Sequence, residues 1–162
     1  MHLHLLCVGR LKAGPERELA CHYVTRAEGI GRGLGVKSLD IHEIEESKAR
    51  RPDDRKKEEA RALFALLTSL RAENFIAFDE LGEPLTSAAF AEKLGRFRES
   101  GTQHLALILG GPDGLDPDLC AQAAARVAFG RMSWPHQLAR IMAAEQIYRA
   151  LTLLAGHPYH RA

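Results

Sequence analysis

Leu105-Ala106-Leu107-Ile108-Leu109-Gly110-Gly111-Pro112-Asp113-Gly114-Leu115 decides how the rest of the chain is read. An unbroken apolar run of this kind is a strand buried on both faces, and the glycines and proline stop it in a tight loop. Loops at the carboxyl ends of such strands are where open α/β sheets hold ligands. Glycines there let a ligand approach the backbone closely, although many Gly-Pro turns after strands only reverse the chain.

Downstream of this run, Asp116-Pro117 supplies an N-cap and a first-turn proline for a short helix to about Ala125. Residues 126–129 read as a last short strand. After the loop Gly130-Arg131-Met132-Ser133-Trp134, Pro135 starts the longest helix, in which Leu138, Ile141, Met142, Glu145, Tyr148, Arg149 and Thr152 lie near one another.

Upstream, residues 3–8 form a first strand ending at Gly9, and Pro15 opens a helix that runs to about Glu28. The glycine-rich stretch 29–35 follows a helix and precedes a strand, the reverse of a dinucleotide fingerprint, and reads as a flexible connection. A strand over 36–44 and a helix from Pro52 to about Leu70 come next. The charged stretch 46–61 reads either as a solvated helix face laced with weak pairs or as a basic flank for an RNA backbone. Residues 74–78 make a third strand and 79–84 a loop at its end. Thr86 or Ser87 then caps a helix that Gly101 terminates. This alternation of strands and helices predicts an α/β fold around a mainly parallel sheet, and the length of 162 residues suits one domain, 1–162.

Composition is 46% hydrophobic and 27% charged with a formal net charge of +1, so no strong global field draws the chain to nucleic acid or membrane. Any polyanion must be held by local patches. The three cysteines Cys7, Cys21 and Cys120 are widely spaced, which points to neither a disulfide framework nor a zinc site and fits reduced thiols in a cytoplasmic protein. Neither a secretory leader nor a bilayer-spanning run is evident. His2 and His4 share a strand face, but with no third ligand evident they read as solvent-facing or hydrogen-bonded, and no metal is expected. The closing Gly156-His157-Pro158-Tyr159-His160-Arg161-Ala162 is chemically dense for a terminus.

The loop Gly110-Gly111-Pro112-Asp113-Gly114-Leu115, the helix start Trp134-Pro135-His136-Gln137-Leu138-Ala139-Arg140, the segment Ala144-Glu145-Gln146-Ile147-Tyr148-Arg149-Ala150 and the end Gly156-His157-Pro158-Tyr159-His160-Arg161 together resemble the RlmH family. These are SPOUT-class ribosomal large-subunit pseudouridine methyltransferases, and the resemblance covers essentially the whole chain. It implies a SPOUT domain with a carboxyl-terminal trefoil knot, which the rule against threaded chains would not have suggested. It also implies a homodimer with its active site at the subunit interface. The implied reaction moves the methyl group of S-adenosylmethionine (SAM) to N3 of a pseudouridine in 23S rRNA of the assembled ribosome, with neither DNA nor a membrane as partner. Another RNA such as tRNA, or a non-catalytic role in ribosome maturation, are the rival readings.

Carried over residue by residue, the resemblance implies cofactor contacts at Phe78, Gly110, Phe129, Gly130, Arg131, Met132, Ser133 and Trp134. Phe78, Met132 and Trp134 depart from the aliphatic residues or threonine often found at those positions. Tyr159, His160 and Arg161 of one subunit are expected to reach the other subunit's cofactor, with His160 as candidate base and Arg161 stabilising charge on a uracil oxygen or binding phosphate. His136 and Arg140, one turn apart at a helix start, are candidates for RNA phosphate binding or for interface hydrogen bonds. Glu145 and Arg149 read as a helix pair or a cross-subunit contact rather than as catalysts.

Overall fold

Strand β4 (His104–Leu109) lies in the middle of a five-stranded, wholly parallel sheet whose order is β2 (Ser38–Ile44), β1 (His2–Val8), β4, β3 (Asn74–Pro84), β5 (Ala125–Ala128). The computed structural model describes residues 1–159. In chain order the elements are β1 (His2–Val8), α1 (Pro15–Gly31), a 3-10 turn (Arg32–Leu34), β2 (Ser38–Ile44), α2 (Pro52–Ser69), β3 (Asn74–Pro84), α3 (Ser87–Glu99), β4, α4 (Pro117–Gln122), β5 (Ala125–Ala128) and α5 (His136–Leu154). Because β4 is inserted between β1 and β3, the order of winding reverses there. Such reversals open a crevice at the carboxyl ends of the strands.

The apolar run is buried on both faces because helices cover both. Leu105, Leu107 and Leu109 join Leu3, Leu5 and Cys7 in a core closed by α1, α3 and α5. Ala106 and Ile108 face the other way, with Leu6 and Val8, against α2 and α4. Local chemistry fixes the helix starts: Thr86 accepts a hydrogen bond from the Ala89 N–H at 3.1 Å, and Asp116 accepts from Asp118 and Leu119 at 2.9 and 3.3 Å. Pro52 opens α2 with Asp53 and Asp54 in its first turn, where acidic groups suit the helix dipole.

Two expectations change. The stretch 29–35 is no loose connection: α1 runs on through Gly31, where a Cβ would sit 3.0 Å from that of Val36, a contact tight enough that Val36 would have to give by a few tenths of an ångström to admit a larger residue. The left-handed turn falls at Gly35, φ 77°. Residues 79–84 are likewise no loop. After a shift of register beyond Phe78, β3 continues and Glu83 and Pro84 pair with Val127 and Ala128 of β5. A Cβ on Gly82 would lie 2.6 Å from the Val127 nitrogen, so the approach of the two backbones requires glycine.

Candidate active site

Gly110 leaves β4 and folds back on its own loop. A Cβ there would come within 2.7 Å of the Gly114 carbonyl carbon, and Gly111 and Gly114 form an antiparallel bridge. The glycine is thus demanded by closure of the loop on itself. Asp113 on this loop accepts two hydrogen bonds from the Arg55 guanidinium, Nε at 2.6 Å and Nη2 at 2.8 Å, while Arg55 Nη1 donates to the Ala49 and Arg50 carbonyls at 3.0 Å. Those bonds from Arg55 hold the Asp113 carboxyl below its ordinary range. Beneath the loop, Glu59 accepts from the Ser47 N–H at 3.0 Å through one oxygen, and its other oxygen is buried with no partner among the described residues. Burial pushes the Glu59 carboxyl up. Arg55, Asp113 and Glu59 were not singled out as site residues from sequence. The aspartate inside the glycine loop was the available signal, but its partner lies in a helix far away in the chain.

At the next strand end, Phe78 is buried, with Phe129 stacked on it at 4.7 Å and 11° and Phe90 tilted at 6.0 Å. Phe78 is therefore a floor under Phe129. The following Asp79 accepts from Arg126 Nη2 at 2.6 Å, from the Leu81 N–H at 3.0 Å and from the Cys120 thiol at 3.2 Å. Burial raises the Asp79 carboxyl's pKa, but these bonds outweigh it and the net shift is downward. They also fasten β3, β5 and α4 together where the last loop begins.

Residues 129–134 then cross the sheet. The chain leaves β5 at one edge and enters α5 beside the ends of β1 and β2, since Arg140 donates to the Gly9 carbonyl at 2.7 Å and pairs with Glu43. Along this crossing Arg131, Met132, Ser133 and Trp134 are exposed, Met132 at 72% and Trp134 at 44%. The backbone groups of residues 130–134 make no backbone–backbone hydrogen bond among the described residues. Unspent N–H and C=O groups beside exposed apolar side chains suit a ligand with a heteroaromatic edge.

The remaining candidates are placed differently. Arg140 is 2% exposed; its Nη1 and Nη2 are engaged with Glu43, Gly9 and Val8, while its buried Nε has no partner among the described residues. It is a buried tie between α5 and the ends of β1 and β2, whereas sequence left it either to RNA phosphate or to hydrogen bonds at an interface; its partners come from strands distant in the chain. His136 is half-buried, with Nε2 at 3.8 Å from Glu46. Tyr159 is not brought to the glycine loop: its hydroxyl donates to Glu145 at 3.2 Å, and its ring packs on Tyr148 and near Arg149 and Arg26. Glu145 also pairs with Arg149 at 2.6 Å, the helix pair anticipated from their spacing. His160 and Arg161 lie outside the described residues.

Comparison with known proteins gives this geometry a lineage. A family model described as "Predicted SPOUT methyltransferase" matches residues 1–160. A protein of Beijerinckia indica subsp. indica named "Ribosomal RNA large subunit methyltransferase H" is 53% identical over the full length of both chains. One of the same name from Nitrobacter winogradskyi is 52% identical over 99% of each. A probable methyltransferase of Bordetella pertussis Tohama I shares the fold at 14% identity, with a TM-score of 0.50 over 92% of this chain and 95% of that one. From its glycine loop to its crossing segment, the chain belongs to the SPOUT methyltransferase family.

Proposed function

We propose that this protein methylates ribosomal RNA of the large subunit, at N3 of a pseudouridine in 23S rRNA within the assembled ribosome, with SAM as methyl donor. The observation that carries the proposal is the meeting of three strand ends at the winding reversal: the Gly110 loop, the Phe78–Phe129 stack, and the exposed crossing 129–134 with its unspent backbone groups. Those features fit an adenosyl group, with apolar faces for the ring and backbone donors and acceptors for its edge. Family membership and the names of the half-identical relatives support the same reading.

When bound, the cofactor supplies a methyl group on a sulfonium centre. The chain's own task is to place that group in line with the acceptor nitrogen and to keep the crossing segment fixed while it does so. In this proposal Gly110 and Phe129, Gly130, Arg131, Met132, Ser133 and Trp134 form the walls of the cofactor site, and Phe78 its floor. The acceptor N3 carries a proton, which His160 is proposed to take while Arg161 stabilises the developing oxygen charge. Tyr159, His160 and Arg161 are proposed to reach the cofactor of the second subunit of a homodimer, with Tyr159 also bonded to Glu145 of its own chain. His136 is proposed to contact RNA. The chain is read as one SPOUT domain, 1–162, whose crossing segment is part of a trefoil knot. No helix among the described residues is long and apolar enough to cross a membrane, and a cytoplasmic location follows from the proposed substrate.

Mass spectrometry of 23S rRNA from cells with and without the protein tests this directly. The expected result is one methyl group on a pseudouridine, present only with the protein. A methyl group mapped to tRNA would move the substrate, and no methylation together with no heat on SAM titration would leave a non-catalytic role in ribosome maturation.

A further inference from the structure

At the opposite ends of the strands from the glycine loop, four histidines gather on the sheet face that α2 and α4 cover further along. His4 is 5% exposed, and both of its ring nitrogens are engaged: Nδ1 lies 3.1 Å from His42 Nε2, and Nε2 lies 3.1 Å from His104 Nδ1. His2 stacks on His104 with ring centroids 4.9 Å apart. The parallel register creates this group, because His4 is level with Asp40 of β2 and His2 with His104 of β4. Ligand atoms of His4, Asp40 and His42 all lie within 4.8 Å of one another.

We propose that His4, His42 and Asp40 form a binding site for a divalent transition-metal ion, Zn²⁺ in the first instance, that clips the edge strand β2 to β1. Imidazole nitrogens about 2.0–2.1 Å from a tetrahedral Zn²⁺ stand roughly 3.3 Å apart, close to the 3.1 Å between His4 and His42; to admit the ion the two rings turn until their lone pairs converge on it, and the Asp40 carboxylate closes in from within 4.8 Å. Two histidines and a carboxylate, with water in the fourth position, are a donor set that Zn²⁺ accepts.

Outer contacts support two of the ligands as metal sites require. When His4 donates its Nε2 proton to His104, its Nδ1 lone pair points at His42. His42 frees Nε2 by carrying its one proton on Nδ1 instead, so the ion displaces a hydrogen bond and neither ring loses its net proton. Asp40 is oriented by the Ser38 hydroxyl, which donates to it at 2.7 Å and lies 2.9 Å from His2 Nδ1. Among the described residues Asp40 forms no salt bridge, and it is exposed, which leaves an entry path. The amino terminus is tied to the Gly35 carbonyl at 2.9 Å, and its charge and that of Lys37 bear on His2 rather than on His4 or His42.

The test uses the full chain, free of any histidine tag and stripped with chelator. Zn²⁺ is titrated by calorimetry, and Co²⁺ is followed by its visible ligand-field absorption. The expected result is one ion per chain, a four-coordinate Co²⁺ spectrum and a Tm that climbs with Zn²⁺ concentration. Asp40→Asn and His42→Gln, both away from the buried core, should each weaken binding at least tenfold while circular dichroism stays unchanged; His104→Gln should weaken it less. No Zn²⁺ binding would overturn the proposal. So would stoichiometric binding that Asp40→Asn leaves intact, since the ion would then sit elsewhere, for example on the exposed Cys21.

Discussion

The guanidinium of Arg140, near the start of α5, is buried against the carboxylate of Glu43 at the end of β2. Removing one partner of a buried pair strands the other charge and costs about 3–5 kcal/mol. Arg140→Ala should therefore lower stability by that order in urea unfolding. Arg140→Lys should recover only part of it, because an ammonium cannot serve Glu43 and the Gly9 carbonyl with a planar fork.

Gly110→Ala places a methyl group against the Gly114 backbone, which cannot swing aside as a flexible side chain would. We expect a loss of about 1–3 kcal/mol, typical of overpacking, and SAM affinity reduced at least tenfold by calorimetry.

Asp79 has a carboxyl pKa below the ordinary value of 3.8, because bonds from Leu81, Arg126 and Cys120 outweigh the effect of burial. A depressed carboxyl contributes stability that is full above the ordinary value and is lost as pH falls through the folded one. Asp79→Asn should cost about 1–2 kcal/mol at neutral pH. Wild type should lose its advantage over the variant as the pH is taken below about 4, read from urea midpoints.

Glu59 behaves in the opposite sense. Burial raises its carboxyl above the ordinary 4.5, so its contribution is present below that value and is lost as pH rises through the folded one. Glu59→Gln keeps an oxygen to accept the Ser47 N–H and removes the buried charge. We expect the variant to be more stable than wild type at pH 7 and to show a flatter dependence of stability on pH, read from urea midpoints.

Trp134 is the sole tryptophan, and it sits on the exposed crossing. Its fluorescence should change saturably on titration with SAM and should not respond to adenine-free sulfonium compounds. Trp134→Phe should retain most of the affinity measured by calorimetry, and Trp134→Asp should lose it.

Elements that carry their own local code were legible in the chain. The run 105–109 with its glycine stop, the proline-opened helices and the Thr86 and Asp116 caps all rest on neighbours within a few residues. What escaped depends on contacts between distant segments. The extension of β3 to Pro84 needs β5 beside it, and Gly31 is explained only by Val36 packing against it. Arg140 has the spacing of a surface residue until Glu43 and Gly9 are brought to it. The grouping of His4 with Asp40 and His42 is invisible in the sequence, because the β1–β2 register alone makes them neighbours. Within the candidate site, the apolar and glycine positions were readable, whereas the Arg55–Asp113 tie was hidden inside a charged stretch.

The crossing segment hangs like a bridge deck between two fixed piers, the Asp79–Arg126 pair where it leaves the sheet and the Arg140–Glu43 pair where it lands. Neither pier can move without parting an ion pair. On the proposed reading, SAM arriving there would meet a segment tied at both ends, so that the ordering cost of binding falls on the few residues between.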